Sequence, residues 1–373
     1  FEEPRVVYVL WTLSICVVFA GAGNIGLVLA QKQLDFSLEF RHQVICRVLS
    51  VSATVSSGFW LGDYRALVIG ISTAYVSGFI FSYTMQSYRP RWCTSHINEI
   101  WAVTKWLTLA GMGTYVVRKG DELIAARIGS TTDYGLYNVG ADLGQLPSAE
   151  VGPVILRAFL PVLASMEGGV AEVNAAVVKV LSAINTLTLP IGLGFSAIAA
   201  PATILMLGSQ WHDSIPYVAS FALLGALQIA FTPLNTLLTL RGHTKIQGQV
   251  VWLELIAFAP AAIVLVQTHF LIGLVWARMI ASLASLLMTV HAAHRLCGLP
   301  AIDALGSVVR PLVGSVLMYV IVNRVVHAVD GDVWRLLAGI SAGVLTFTSW
   351  TLISWWIVGR PGGLEATLLA WFQ

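Results

Sequence analysis

Residues 117–129 read Val117-Arg118-Lys119-Gly120-Asp121-Glu122-Leu123-Ile124-Ala125-Ala126-Arg127-Ile128-Gly129. Arg118, Lys119, Asp121, Glu122 and Arg127 fall within one helix-like run at about 97–129, in a chain that is otherwise mostly apolar. A charge at membrane depth costs roughly 3 kcal/mol or more unless it faces a partner or a watery cavity. So dense a cluster among apolar segments calls for an all-α bundle of membrane helices with a polar interior. With almost nothing large outside the membrane, it reads as a transport pathway rather than a receptor or an enzyme acting at a lipid site.

Composition sets the class. Hydrophobic residues make up 57% of the 373 positions and charged residues 11%, against the ~25% charged usual in soluble domains. The mean hydropathy is +0.79. A net charge of +2 is too small to suggest a nucleic-acid partner. The four cysteines (Cys16, Cys46, Cys93 and Cys297) are scattered without a CxxC pair, which argues against disulfides and zinc. The opening Phe1-Glu2-Glu3-Pro4-Arg5 has neither an initiator Met nor the basic start of a signal peptide. The expectation is a chain that begins partway through a longer protein.

A crossing helix needs about 20 mainly apolar residues. Eleven segments qualify, at roughly 6–30, 43–61, 65–86, 98–128, 134–160, 174–198, 214–240, 246–267, 270–292, 309–328 and 334–358. Pro147, Pro153, Pro190, Pro233 and Pro260 can bend the longer ones. Ala199–Leu207 is too short to span and is expected to lie along the interface, as is the tail Leu364–Phe372. Alternate loops are basic: Lys32 and Arg41; Arg89 and Arg91; Arg241 and Lys245; Arg295 and Arg310; Arg360. The intervening ones are acidic or poor in basic residues, with Glu2, Glu3, Asp63, Asp213, Asp330 and Asp332. The positive-inside rule makes the basic set cytoplasmic. The first residue then faces outward and the last faces the cytoplasm.

Several side chains are candidates for the polar pathway. Arg118 and Glu122 stand four apart and can pair, and Asp121 can meet Arg118 or the surroundings of Arg127. These charges either lock helices together or line a cavity for a charged substrate or a coupling ion. Tyr137, Asn138, Asp142 and Gln145 lie in a span that mixes small and polar residues. Asp142, Gln145 and Glu150 are expected to avoid lipid. Arg157, near a cytoplasmic end, either snorkels or contacts phosphate. Glu254 and Arg278, single charges in consecutive antiparallel spans, can pair with each other. Lys105 and Lys179 lie near cytoplasmic ends and are expected to snorkel. Gly21-Ala22-Gly23-Asn24-Ile25-Gly26 matches GxGxxG but has no strand before it, so a dinucleotide site is excluded. His291, His294 and Cys297 have ligand-like spacing, but metal binding is not expected, and no cofactor is implied. Trp11, Trp60, Trp92, Trp211, Trp334 and Trp356 fall near span ends, as in interfacial belts.

An ordered set of short motifs carries a family resemblance. They are Phe1-Glu2-Glu3-Pro4; Gln31-Lys32-Gln33-Leu34-Asp35-Phe36; Tyr88-Arg89-Pro90-Arg91; Asp121-Glu122 through Arg127-Ile128-Gly129; Tyr134-Gly135-Leu136-Tyr137; Leu189-Pro190-Ile191-Gly192-Leu193-Gly194; and Leu207-Gly208-Ser209-Gln210-Trp211. Together they resemble the polysaccharide-transporter branch (Wzx-type O-unit flippases) of the multidrug/oligosaccharidyl-lipid/polysaccharide exporter superfamily, over nearly the whole chain. The resemblance implies a two-lobed exporter-flippase fold lacking its first three helices. In that layout 1–96 is the second half of the N-terminal bundle, 97–300 is the C-terminal six-helix bundle, and 301–373 holds two extra helices and an amphipathic tail.

The implied function is transfer of an undecaprenyl-diphosphate-linked oligosaccharide across the bacterial inner membrane by alternating access, with a proton or sodium ion as possible coupling ion. Membrane lipid is the other implied partner. By family position Asp121 and Arg127 take the acidic and basic places of the charged motif, and Arg157 a basic place after the proline. Arg118-Lys119 departs from the amide or small residue usual there, so the ion-pair pattern is open to difference. A cation-coupled multidrug antiporter of the same fold is the nearest rival. A membrane polysaccharide polymerase is a weaker one, because the outer loops are short.

Overall fold

The computed structural model describes residues 4–32, 36–90, 95, 97–165 and 169–357, with the side chains of 4–6, 31, 32, 36, 103, 152–165 and 355 excepted. All regular structure among these residues is helical. The chain divides into two compact units, Phe1–His96 and Ile97–Gln373. The tail at 364–372 lies outside the described residues.

The first unit holds α1 (Pro4–Gly21), α2 (Gly26–Lys32), α3 (Phe36–Leu61) and α4 (Arg65–Thr84). The segment expected to run unbroken over 6–30 is therefore two helices. Ala22–Ile25 breaks it, and the break is stabilised by side-chain hydrogen bonds. Asn24 Oδ1 accepts the Gly26 amide at 2.9 Å, and Asn24 Nδ2 donates to the Tyr88 carbonyl at 2.8 Å. The Asn24 amide in turn donates to Ser82 Oγ at 3.0 Å. Asparagine competes well with helical backbone bonding, which is why the interruption sits there. Helices α3 and α4 form a hairpin whose turn places Gly62 at φ +57, a conformation that suits glycine.

The second unit holds α5 (Ile97–Ile128), α6 (Thr131–Ser165), α7 (Val170–Ala197), α8 (Ala199–Leu207), a 3-10 turn (Ser209–Ser214), α9 (Ile215–Ala230), α10 (Thr232–Leu240), α11 (Thr244–Cys297), α12 (Ala301–Ala328) and α13 (Asp332–Ile357). Three local features organise it. The segment expected over 214–240 breaks at Phe231 (φ −116, ψ 11). Pro233 lacks an amide hydrogen, so it cannot continue the helical ladder. The Ala230 carbonyl beside this break accepts Asn185 Nδ2 from α7 at 2.8 Å.

Second, α11 is long enough for two crossings and reverses at Phe270 (φ 54, ψ −142). A Cβ on Gly273 would collide with the Leu265 carbonyl oxygen, and Ser282 Oγ donates to Glu254 Oε1 at 3.2 Å. Both contacts centre the turn near 268–270, so the halves 244–269 and 271–297 run antiparallel. Third, Gly298 at φ 66 ends α11 and Pro300 precedes α12, the glycine-then-proline stop that separates consecutive helices.

Close packing relies on small residues. A Cβ on Gly140 of α6 would strike Tyr217, and one on Gly192 of α7 would strike Ala226 of α9. One apolar core joins α7, α9, α10 and the end of α11 around Leu181, Ile184, Leu234 and Leu237. A second joins α5, α6, α9 and the middle of α11 around Tyr137, Phe221, Leu271 and Leu274. Among the described residues seven helices are long and apolar enough to cross a membrane: those covering Ser37–Leu61, Arg65–Thr84, Val170–Ala197, Ser209–Leu240, Thr244–Cys297, Ala301–Ala328 and Asp332–Ser354. The charged α5 and the polar α6 are not among them.

Candidate functional site

A cavity of about 340 Å³ opens in the second unit between α5, α9, α10 and both halves of α11. Its lining is markedly polar for a membrane protein. α5 and the two halves of α11 each contribute polar side chains at helical spacing, so each set shares one face. Thr114 and Arg118 come from α5, Gln228 from α9, and Asn235 from α10. Gln247 and Glu254 come from the first half of α11, and Arg278, Ser282, Ser285 and Thr289 from the second half.

The cavity is anchored by a buried charge cluster. Arg278 Nη1 donates to Asp121 Oδ2 at 2.7 Å, with the two side chains 6% and 0% exposed. Tyr137 Oη donates to the same carboxylate oxygen at 2.8 Å. Asp121 Oδ1 accepts the Glu122 amide at 3.0 Å. The Tyr137 ring is held edge-on by Tyr217 and Phe221, with centroids 5.9 and 5.2 Å away. A carboxylate with these donors satisfies most of its acceptor capacity, which is what a buried charge requires. Arg278 Nε is buried with no hydrogen-bond partner among the described residues.

This arrangement corrects three expected pairings. Asp121 pairs with Arg278 rather than with Arg118 or Arg127, because its side chain turns inward to the second half of α11. Arg278 is thereby taken from Glu254, which instead accepts the Ser282 hydroxyl one turn further along the same half. Glu122 pairs with Lys119 at 2.6 Å rather than with Arg118, since positions three apart on a helix are also neighbours. Arg118 is left exposed and lining the cavity, with no ion-pair partner among the described residues.

The other expected site residues disperse. Tyr137 is fully buried with its hydroxyl bonded to Asp121, so it supports that carboxylate and does not line the cavity. Arg127 is exposed in the last turn of α5, outside this cavity. Asn138 and Gln145 are half-buried on α6 and Asp142 is exposed there; none of the three lines the cavity. The side chain of Arg157 lies outside the described residues. Conversely, Gln228, Asn235 and Gln247 line the cavity and were not anticipated. Their signal was available as spacing: Gln228 and Asn235 stand seven apart, as do Gln247 and Glu254. No group of three or more His, Cys, Asp or Glu able to hold a metal occurs among the described residues.

A family model described as "Polysaccharide biosynthesis protein" matches residues 1–216. The lipopolysaccharide biosynthesis protein WzxC of Escherichia coli (strain K12) is 22% identical over 267 residues, 70% of this chain and 54% of that protein. The teichuronic acid biosynthesis protein TuaB of Bacillus subtilis (strain 168) is 19% identical over 294 residues, 77% of this chain and 60% of that protein. The chain thus spans little more than half the length of these two relatives. The succinoglycan biosynthesis transport protein ExoT of Rhizobium meliloti (strain 1021) is 21% identical over 368 residues, 94% of this chain and 72% of that protein. Among solved structures, the lipid II flippase MurJ in an inward closed conformation matches with a TM-score of 0.63 at 13% identity, covering 94% of this chain and 74% of that one. That likeness shows the fold: a multi-pass, all-helical membrane protein.

Proposed function

The chain belongs to the polysaccharide biosynthesis protein family, and on that premise we propose that it moves a lipid-linked oligosaccharide across the bacterial inner membrane as a transporter, not an enzyme. The observation that carries this reading is the polar cavity inside an apolar bundle. Arg118 is exposed at its edge, with no ion-pair partner among the described residues, and Arg278, Glu254 and the amides of Gln228, Asn235 and Gln247 stand in its wall. A diphosphate bearing sugars cannot cross hydrocarbon unaided. Guanidinium groups suit phosphate oxygens geometrically, and amides suit sugar hydroxyls, which both donate and accept. The isoprenoid tail can remain in the bilayer while the headgroup passes through such a cavity by alternating access.

The relatives support the substrate class: WzxC, TuaB and ExoT are named for lipopolysaccharide, teichuronic acid and succinoglycan biosynthesis, and MurJ for lipid II flipping. In this reading Arg118 meets the diphosphate, while Asp121, Arg278 and Tyr137 hold the wall in shape. Glu254 is the candidate for a coupling proton or sodium ion. The test is expression in a bacterium deleted for its O-unit flippase, with wild type compared to Arg118→Ala at matched protein level. Restored surface polysaccharide with wild type and its loss with the variant support the proposal. A well-expressed wild type that restores none, in the original host as well as in the surrogate, overturns it.

A further inference from the structure

The first unit carries a groove of its own. Helices α1 and α3 both pack on α4: Cys16 of α1 touches Ser72, and Ser50 of α3 bonds the Gly70 carbonyl. Between these two contacts one face of α4 stays uncovered, and a cavity of about 1000 Å³ runs along it. Arg65, Ile69, Val76 and Ile80 stand in line on that face, four or seven positions apart. Hydroxyl side chains border the groove without making it polar. Thr12, Ser72 and Thr73 donate to the carbonyls of Tyr8, Val68 and Ile69 in their own helices, at 2.9, 2.7 and 2.8 Å. An occupant of this wall therefore needs no hydrogen-bonding groups of its own.

One end of the groove is different. Tyr8, Tyr64 and Arg65 line it there, and the acidic loop at Asp63 marks that end as facing outward. The Arg65 side chain is 69% exposed, and its Nε stands 3.9 Å from Asp63 Oδ2, beyond hydrogen-bond distance. Its fork of donors is open to a phosphate, which a guanidinium matches in geometry. The other end sets the length of the occupant. The fifteen positions from Arg65 to Ile80 span about 22 Å of helix, whereas one leaflet of hydrocarbon is about 15 Å deep. A phospholipid of the outer leaflet ends near the midplane and leaves the deeper part of the groove unfilled. A polyprenyl chain is long enough to fill it.

We infer that this groove binds the polyprenyl tail of a lipid phosphate in the outer leaflet, with the phosphate on Arg65. The purpose of the site rests on the proposed transport of a lipid-linked oligosaccharide; the groove, its cation and its length do not. In that role it holds the carrier once the headgroup has crossed.

The purified chain in phosphatidylcholine nanodiscs carries the photocrosslinker p-benzoylphenylalanine in place of Ile69, of Ile80, or of Ile71, which helical spacing puts on the far side of α4. Each is irradiated with undecaprenyl phosphate, farnesyl phosphate or dipalmitoyl phosphatidylglycerol, and the adduct is quantified by mass spectrometry. Undecaprenyl phosphate is expected to label the Ile69 and Ile80 positions and to spare that of Ile71. The short farnesyl chain is expected to label the Ile69 position alone, and phosphatidylglycerol to label that of Ile80 no more than that of Ile71. Arg65→Gln, at an exposed side chain, is expected to cut undecaprenyl labelling about tenfold, the loss of one charge-assisted phosphate contact, and Arg65→Lys to cut it less. Undecaprenyl labelling at Ile80 no stronger than at Ile71, phosphatidylglycerol labelling at Ile80 as strong as undecaprenyl, or no effect of Arg65→Gln overturns the inference. So does a crosslink from the Ile80 position to a second copy of the chain, which would make the groove a helix-docking face. Labelling reads binding alone. A chain labelled as expected that moves no lipid between leaflets overturns the transport role and leaves the groove's ligand standing.

Discussion

Arg278 and Asp121 meet at 2.7 Å across 157 positions of sequence, tying the second half of α11 to α5 in the interior of the second unit. Removing one partner of a buried pair leaves an uncompensated charge and costs about 3–5 kcal/mol, whereas removing both costs much less. Asp121→Asn and Arg278→Gln are each expected to lower the unfolding temperature of the purified protein markedly. The double variant is expected to recover most of the loss, giving a positive coupling energy in a double-mutant cycle. Additive losses would show that the two side chains act separately.

Tyr137→Phe is a gentler probe of the same cluster. It keeps the ring between Tyr217 and Phe221 but deletes the hydroxyl that donates to Asp121 at 2.8 Å. A hydrogen bond to a charged acceptor is worth about 1.5–3 kcal/mol. The variant should lose that stability while retaining the proposed transport, because the tyrosine supports the wall and does not line the cavity. Lost transport at unchanged stability would return Tyr137 to the substrate pathway.

The backbone offers a prediction in the opposite direction. Phe270 is the non-glycine residue with positive φ among the described residues, and its side chain is exposed. Strain in such a conformation costs about 1–3 kcal/mol, part of which a glycine returns as entropy of the unfolded chain. Phe270→Gly is expected to raise stability by about 1 kcal/mol in a denaturant or thermal series. A loss of similar size would mean that the phenylalanine ring contributes more than its backbone costs.

The start of α6 titrates. Ser130 and Asp133 bond reciprocally: the Asp133 carboxylate accepts the Ser130 amide at 2.9 Å and its hydroxyl at 2.7 Å, and the Asp133 amide donates to Ser130 Oγ at 3.1 Å. This capping box holds the Asp133 carboxyl below its ordinary pKa, chiefly through the Ser130 hydroxyl. A depressed carboxyl stabilises the fold above its unfolded pKa and loses that contribution as pH falls through the folded value. Asp133→Asn should therefore lower stability at neutral pH and converge with wild type at a pH below the ordinary carboxylate pKa. A constant difference down to that pH would rule out the cap as its cause.

Much of this architecture is legible in the sequence because membrane helices must satisfy their own backbone and bury charge. The apolar runs, the two halves of α11 and the charged α5 follow from that constraint alone. The breaks at Asn24 and Phe231 are harder to see, since each depends on a distant partner: Ser82 and Tyr88 for the first, Asn185 for the second. The ion-pair network is hardest. Neighbour rules along one helix favour Arg118 with Glu122, while the fold gives Glu122 to Lys119 and carries Asp121 to Arg278. The cavity itself was readable one helix at a time, as polar residues at spacings of four and seven on otherwise apolar faces. Only packing showed that those faces converge.

The most direct test of the central claim is leaflet exchange in vesicles. The purified chain, reconstituted into liposomes, is given a fluorescent undecaprenyl-diphosphate-linked oligosaccharide, and the fraction reaching the opposite leaflet is followed by a membrane-impermeant quencher. The account predicts exchange well above protein-free vesicles with wild type, and a fall of about tenfold with Arg118→Ala, matching loss of one charge-assisted phosphate contact of about 1.4 kcal/mol. Exchange no faster than in protein-free vesicles, or an Arg118→Ala variant as fast as wild type, would contradict it.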